Sequence, residues 1–560
     1  MQNSKIALVV LLLFFTLASF SNAESQVWKW AINCSNPNRE CEAWPVALDP
    51  YGNVYESGML YNTSSIHDTI TTTWGSSSVI NYGEHSQVIV VSSDSNGTYR
   101  WALGTIDSNG TYMINIVTDT FGNIYLYGIY FGTMTLGTRT ITDVTGNGMY
   151  FLAKINNSGS VTWLKNVASK STIGDFFYSG GLGIDKSGKP YVSGIYNGYS
   201  ITIGTTTLIN SSSDLSTCDI FLAKFDTSGN PVWAKSYGGN KKDYILSLTV
   251  ADDGSVYSSG FFYSSSITIG SNTITNPTSG GVPYIYLCKY NSNGIAEWAK
   301  SSPGHSWDII RNMATDRWGN VYLVGGYTDT LSFGLATVPV ISMTIDNFIL
   351  KFDSLGNTKW GRTLSGSIYD MVTFGIAPDI CGNIWVSGGG VSSISGDPLI
   401  LALYDTGGVF IDSLSLQSGG DDQSALTVDN RGNLYIGGDY LLSPFNLGSV
   451  TLTLPVGVTE ELFLAKYSYP FSFCPVGAAL GLTEQGSQND LSLYPNPVSN
   501  DLSVISNEKI NNVIITNVLG QLLYVGDYNS KKVEVDVSGL KAGLYFININ
   551  QSKIKKFVKE

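Results

Sequence analysis

Asp316-Arg317-Trp318-Gly319-Asn320-Val321-Tyr322-Leu323-Val324-Gly325 is one copy of a phrase that the chain writes seven times: Gly, two residues, an aromatic, two residues, Gly. The other copies are Gly52/Tyr55/Gly58, Gly122/Tyr125/Gly128, Gly188/Tyr191/Gly194, Gly254/Tyr257/Gly260, Gly382/Trp385/Gly388 and Gly432/Tyr435/Gly438. Asp stands three residues before the first Gly in six copies (Asp49, Asp119, Asp185, Asp316, Asp379, Asp429), while the fourth has Ala251 there and Asp252 beside it. Each copy reads as a hairpin. The Asp carboxylate bonds forward to the turn, the Gly takes the positive φ on which a tight turn ends, and the β-branched and aromatic residues that follow favour a strand. Recurrence of such a unit marks a repeat architecture.

A second hairpin lies downstream in the same unit. Its clearest form is Ile220-Phe221-Leu222-Ala223-Lys224-Phe225-Asp226-Thr227-Ser228-Gly229 followed by Val232-Trp233-Ala234-Lys235. Trp101, Trp163, Trp233, Trp298 and Trp360 each stand seven residues after a turn Asp or Asn. Two hairpins per unit make a four-stranded antiparallel sheet, with strands a to d, and a row of such sheets predicts an all-β, seven-bladed β-propeller.

The ends of the chain complement one another. Val27-Trp28-Lys29-Trp30-Ala31-Ile32 reads as a strand d with no a, b or c before it, whereas Glu461 to Tyr467 reads as a strand c with no Trp after it. The N-terminal strand is therefore expected to complete the last blade and close the ring, which removes two exposed sheet edges. Between b and c most units carry a further Ile/Thr/Gly phrase, such as Ile201-Thr202-Ile203-Gly204, read as an extra hairpin. The sixth unit lacks it, and its expected Trp is Asp412.

Composition excludes some classes. Charged residues make up 13% of the 560, and 61 Gly and 33 Tyr take the place of helix formers. A net charge of −13 offers no basic face to a nucleic acid. Residues 1–23 read as a signal peptide, with Lys5, an apolar run from Ile6 to Leu17 and a small-x-small site at Ser21-Asn22-Ala23; no later segment is apolar enough to span a membrane. Residues 24–473 are then the propeller, 474–490 a polar linker and 491–560 a small C-terminal β-sandwich of short strands. Cys34 and Cys41 are the candidate disulfide, with Cys474 a rival partner for either. Cys288 reads as a buried thiol, and Cys218 and Cys381 have no evident partner.

The two-hairpin phrase, over about residues 47 to 467, resembles the bacterial β-propeller repeat family known as SBBP, which implies a fold and no fixed catalytic residues. The last 70 residues resemble the type A C-terminal sorting domain of the type IX secretion system. The matching residues are Leu493-Tyr494-Pro495-Asn496-Pro497, Val518-Leu519-Gly520-Gln521, Val537-Ser538-Gly539-Leu540 and Gly543-Leu544-Tyr545, with a basic end. That resemblance implies a Gram-negative cell, type IX secretion machinery as a partner, and a secreted or outer-membrane-surface location.

Function is less legible. The repeated turn Asp residues read as turn caps without a metal, since the loops lack the dense carboxylates a hard cation wants, and no cofactor is expected. The Trp row reads as packing between blades. His67, His85 and His305, the three histidines, lie in different loops and assemble no triad or zinc site. The uniform repeats favour a binding or adhesion module for a glycan, protein or surface over the alternative, an extracellular polymer-degrading hydrolase or lyase. In a meander the long b–c and d–a connections share one edge, where irregular loops carry function. The candidates there are Tyr178, Tyr244, Trp307, Asp308, Tyr369, Asp370 and Asp422, with a notch beside Ser392, Ser393 and Asp397 of the sixth unit. Asp175, Asp243, Asp308, Asp370 and Asp422 recur near the start of strand a and read first as caps of their own loops.

Overall fold

The computed structural model describes residues 27–33, 40–61, 70–74, 77–81, 85–168, 179–278, 281–302, 309–328, 330–334, 336–339, 346–364, 371–390, 398–418, 425–456, 458, 460–469, 491–517, 522–550 and 553–560. The chain divides into two units, Met1–Phe471 and Ser472–Glu560. Among the described residues every regular element is a strand.

Each repeat phrase lies on the a–b hairpin of an antiparallel sheet. The third unit gives Gly180–Ile184, Pro190–Asn197, Cys218–Phe225 and Pro231–Tyr237, paired in that order. The second (Thr111–Thr118, Ile124–Tyr130, Met149–Ile155, Val161–Asn166), fourth (Asp243–Val250, Val256–Phe262, Tyr284–Tyr290, Ala296–Ser302), fifth (Ile309–Thr315, Val321–Tyr327, Asp346–Phe352, Thr358–Thr363) and sixth (Met371–Pro378, Ile384–Gly390, Leu399–Tyr404, Phe410–Leu416) repeat the order. The first (Glu40–Leu48, Val54–Tyr61, Gln87–Ser93, Tyr99–Asp107) is extended by the hairpin Thr133–Leu136 and Arg139–Thr142 of the second unit. The last joins Ala425–Val428, Asn433–Tyr440 and Glu461–Ser468 to the N-terminal strand Val27–Asn33, with Trp28 opposite Tyr467 and Asn33 opposite Phe463.

Strands a line up side by side: Glu40–Leu48 touches Thr111–Thr118, contacts continue through each successive strand a to Ala425–Val428, and that strand touches Glu40–Leu48. Strands b and c are buried on both faces, as in Ile124–Tyr130, every residue of which is buried, so they show no apolar/polar alternation. Strand d is half-exposed, and its Trp covers the neighbouring sheet. A Cβ added to Gly294 would lie 3.0 Å from the Trp233 ring, and Trp233 Nε1 donates to the Ser292 carbonyl at 3.3 Å. Trp101, Trp163, Trp298 and Trp360 do the same on Gly159, Gly229, Gly356 and Gly408, and N-terminal Trp30 does so on Gly97 of the first sheet. The turn Gly needs positive φ (76° at Gly319, 78° at Gly356) and no side chain, because an indole lies on the latter. The extra hairpins pack beside strand d of their own sheet, Gly204 against Pro231 and Gly270 against Ala296. In the sixth unit the residues between Gly390 and Pro398, including the expected notch at Ser392, Ser393 and Asp397, lie outside the described residues.

In the second unit the strands Leu491–Tyr494, Asp501–Asn517, Leu522–Asp536, Gly543–Ile549 and Lys553–Lys559 form one five-stranded sheet. Asp501–Asn517 is one long strand rather than the short ones expected, and its register against its partner shifts between Ile505 and Ile510. A β-bulge accommodates the polar run Asn507-Glu508-Lys509. Leu502, Val504, Val513, Ile515, Val535 and Ile547 form its core.

Candidate functional site

At the a–b turns the same polar cluster recurs. Asp316 Oδ1 accepts the backbone N–H groups of Trp318 and Asn320, and Oδ2 accepts Asn320 Nδ2 at 2.7 Å and the Tyr322 hydroxyl at 2.9 Å. Asp49, Asp119 and Asp429 repeat the arrangement with Tyr55, Tyr125 and Tyr435. The Asp-x-x-Gly-Asn-x-Tyr spacing builds this cage, because the turn brings residues 2, 4 and 6 positions on over one carboxylate. A lysine of strand c supplies the balancing charge. Lys224 Nζ sits 3.2 Å from Asp185 Oδ2 and 4.5 Å from the centre of the Tyr191 ring, and it donates to the Tyr191 hydroxyl. Lys154 pairs with Asp119 at 3.7 Å. Burial opposes ionisation of Asp185, but donors from Ser187, the Lys189 amide and Lys224 outweigh it and lower its pKa. The cluster thus consumes its own carboxylate, phenol and ammonium groups.

Departures from the phrase are compensated within the first and fourth units. In the first, Ser92 stands where Lys is expected, and Arg100 of strand d reaches the Tyr55 hydroxyl at 3.4 Å. In the fourth, where Ala251 replaces Asp, Lys289 pairs with Glu297 at 2.9 Å. In the sixth, Trp385 and Leu403 replace Tyr and Lys. With no cation beside it among the described residues, Asp379 is pushed up by burial despite donors from Asn383 and Cys381. The Trp385 ring meets Tyr469 at 5.3 Å and Tyr467 at 6.4 Å.

Tyr178, Trp307, Asp308, Tyr369, Asp370 and Asp422, expected to form a site, lie outside the described residues, as do Asp175, His67 and His305. Tyr244, expected to face a ligand, is 9% exposed and packs against Phe261 at 5.0 Å among the core residues around Ile245. Its ring serves packing because strand a begins under the neighbouring sheet. Asp243 beside it accepts the Ser264 hydroxyl at 2.7 Å and the Ser264 amide at 3.2 Å, so it ties the start of strand a to the connection that leaves strand b. Burial pushes its carboxyl up to about 7 against those bonds, with the charge of Asp219 adding to the rise. Asp219 is itself raised by burial, and its Oδ1 has no partner. Glu56 on strand b of the first sheet is a feature that sequence reading missed. It is 3% exposed, Oε1 has no partner among the described residues, and burial alone pushes it up to about 8. Leu126, Val192, Ser258, Leu323, Val386 and Ile436 hold the same place after the aromatic in other repeats, and that contrast was readable from the sequence.

Cys218 and Cys288 are free, buried thiols pushed up to about 12 by burial. Cys381, read from sequence as having no evident partner, is disulfide-bonded. It sits half-buried in the a–b turn of the sixth unit. Cys34 and Cys474 lie outside the described residues, as does the Cys41 side chain. Among the described residues no group of three or more His, Cys, Asp or Glu is placed to hold a metal ion, and no helix is long and apolar enough to cross a membrane.

In the C-terminal unit the sequence motif ties its first turn to its last strand. Asn496 Oδ1 accepts the Val558 amide at 2.7 Å, and the Val498 amide donates to the Val558 carbonyl at 2.8 Å. Tyr494, Pro495, Asn496 and Pro497 form this bend, and Tyr494 is 46% exposed. Leu540 closes a turn on Val537 with Gly539 between them, Gly543 opens the next strand, and the Tyr545 hydroxyl donates to the Lys541 carbonyl at 2.6 Å.

Comparison with known proteins gives several likenesses besides a family match. Over 338 residues, 50% of this chain, the sequence is 25% identical to Uncharacterized WD repeat-containing protein L264 of Acanthamoeba polyphaga mimivirus, of whose length it covers 24%. A solved structure of an unknown-function protein from Dyadobacter fermentans superposes with a TM-score of 0.36 at 10% identity, over 64% of this chain and 95% of that one. PorZ, described as an essential bacterial surface component of the type-IX secretion system of Porphyromonas gingivalis, superposes with a TM-score of 0.19 at 11% identity, over 92% and 81% of the two chains. Residues 492–560 match the family model for the secretion system C-terminal sorting domain. The chain thus carries a sorting domain at its C-terminal end, and such a domain implies delivery to the cell surface or outer membrane.

Proposed function

We propose that residues 24–473 form a seven-bladed β-propeller of the SBBP kind, closed by the N-terminal strand. In this reading the chain leaves the cell through the type IX system and acts outside it as a binding or adhesion module. Support for closure comes from the pairing of Val27–Asn33 with Glu461–Ser468 and from Trp30, whose indole donates to Ser95 of the first sheet as Trp233 does to Ser292 of the fourth. Lys466 shares the Ser95 carbonyl, as Lys224 shares that of Ser292.

The observation that carries binding over catalysis is the repeated cage at the turns. Acid–base chemistry needs a group whose proton or lone pair is open to a substrate. The turn carboxylates are instead saturated by their own amides, asparagines and tyrosines. The competing reading, a polymer-degrading enzyme, would need its carboxylates at the b–c and d–a edge. Incubating the purified protein with insoluble polysaccharides separates the two: a binding module sediments with one of them and releases no reducing ends, whereas released sugar would establish the enzyme. Truncation after Ser472 should leave a folded chain that is retained in the periplasm, and normal secretion of that chain would contradict the assigned export route.

A further inference from the structure

The a–b turns of successive units touch. The Thr120 hydroxyl donates to the Lys186 carbonyl at 3.3 Å, Lys186 Nζ pairs with Asp252 at 3.2 Å, and the Tyr257 hydroxyl donates to the Gly319 carbonyl at 3.4 Å. The Tyr51 ring lies over Gly122, where an added Cβ would be 2.8 Å from Cε2, and the Trp318 ring lies over Gly382, 2.7 Å from Cζ3 by the same construction. The turns of the first six units therefore make one continuous row.

The residue just before the turn Gly occupies one register along that row. Its amide serves the turn, as Tyr51 N does in donating to Asp49 Oδ1; the Tyr51, Phe121 and Trp318 side chains stand outside the cage, whereas the Ser187 hydroxyl donates to Asp185 Oδ1. That position holds Tyr51, Phe121, Ser187, Asp253 and Trp318 in the first five units. Tyr51 is 68% exposed, Phe121 65% and Trp318 46%. Exposed aromatics scattered singly need no explanation, but these three stand in register. Tyr51 and Trp318 each have one ring face propped on the backbone of the next turn, so they are held rigid. The Arg317 guanidinium lies over the Trp318 ring, 4.4 Å from its centre, and leaves the indole 46% exposed beside it. Between the two aromatic stations lie Ser187, the mutually neutralised Lys186–Asp252 pair and Asp253.

Rigid aromatic platforms separated by hydrogen-bonding groups suit a chain of sugar rings, whose C–H faces stack on the aromatics while hydroxyls bond in between. A protein partner would call for a contiguous apolar centre instead. We propose that this row of turns binds an extended, uncharged polysaccharide, with Tyr51 and Phe121 as one stacking station and Trp318 as the other. The proposal deepens the binding-module reading and rests on it, and it moves the site to the edge opposite the one expected from loop irregularity.

The test is affinity electrophoresis of the full chain in gels containing laminarin, xylan, soluble starch or polygalacturonate. The expected result is retardation by at least one of the three neutral polysaccharides. Trp318→Ala and Phe121→Ala should each weaken it about tenfold, equivalent to one lost stacking contact, with melting temperatures unchanged, while Trp318→Phe keeps most of it. Retardation by polygalacturonate alone, by none of the four, or equally in the alanine variants would overturn the proposal. Retardation that survives both alanine variants leaves the binding reading standing and refutes only this surface. Release of reducing sugar refutes the binding-module reading wherever the polysaccharide docks.

Discussion

The third and sixth units have the same four strands and differ in the side chains that tie strand c to the a–b turn and strand d to the next sheet. The third has Asp185, Tyr191, Lys224 and Trp233: a closed polar cage, then an indole on the next sheet's turn glycine. The sixth has Asp379, Trp385, Leu403 and Asp412 at those places. The sheet beyond the third has a continuous c–d turn at Asn291–Gly294, whereas the sheet beyond the sixth takes its strand d from the N-terminus and has no such turn to cover. Trp385 packs instead on Tyr467 and Tyr469, where the chain leaves that sheet. Irregularity in the sixth unit is thus what a repeat looks like beside a seam, and the lesson is that a broken phrase can be a response to topology rather than the mark of an active site.

The largest expected effect probes that seam. Deleting Val27–Asn33 exposes the edge of Glu461–Ser468 and removes Trp30 from Gly97. The loss should be about 5 kcal/mol, given a strand's apolar burial at about 25 cal/mol per Å², read as a lowered denaturant midpoint. A variant as stable as the parent would mean the seam lies elsewhere. Next comes Glu56, the buried acid of the first sheet. Its folded pKa of about 8 lies above its ordinary 4.5, so the folded state holds the proton longer than the unfolded one, and stability falls as pH rises from 4.5 through 8. Glu56→Leu, which restores the residue type of Leu126 and Leu323, should remove this slope and add about 5 kcal/mol at pH 9. An unchanged slope would show that Glu56 meets water or a partner.

The third prediction sets the two units directly against each other. Trp233→Ala should cost about 2 kcal/mol through the lost indole packing and hydrogen bond, and Asp412→Ala, at the same place in the sixth unit, markedly less. Equal losses would break the comparison. The smallest effect is one of sign. Asp185 titrates below its ordinary range, so its contribution is present above pH 3.8 and is lost on acidification, whereas Asp379 titrates above that range and costs stability as pH rises. Relative to the parent, Asp185→Asn should therefore lose stability as pH rises through the carboxylate range while Asp379→Asn gains it. Parallel melting curves across pH would contradict the role given to Lys224.

What the sequence made legible follows from how local the chemistry is. Asp316, Gly319, Asn320 and Tyr322 build their cage within seven residues, and a Trp seven residues past a turn must cross to a neighbour, so spacing alone conveys both. Glu56 escaped notice because strand b is buried on both faces and offers no alternation against which an acid stands out. The Cys381 disulfide was hidden because it joins segments that sequence spacing does not relate. Tyr244 misled for a similar reason: aromatic residues at the start of a strand look alike whether they end in solvent or under the next sheet.

The account turns on the N-terminal strand lying beside the last strand of the repeats, and Ala31 and Ala465 are direct cross-strand partners there. A chain carrying Ala31→Cys and Ala465→Cys should form a disulfide on purification, found by non-reducing peptide mapping, and its melting temperature should fall when that bond is reduced. Cysteines that stay reduced, or that each pair elsewhere, would contradict the closed repeat.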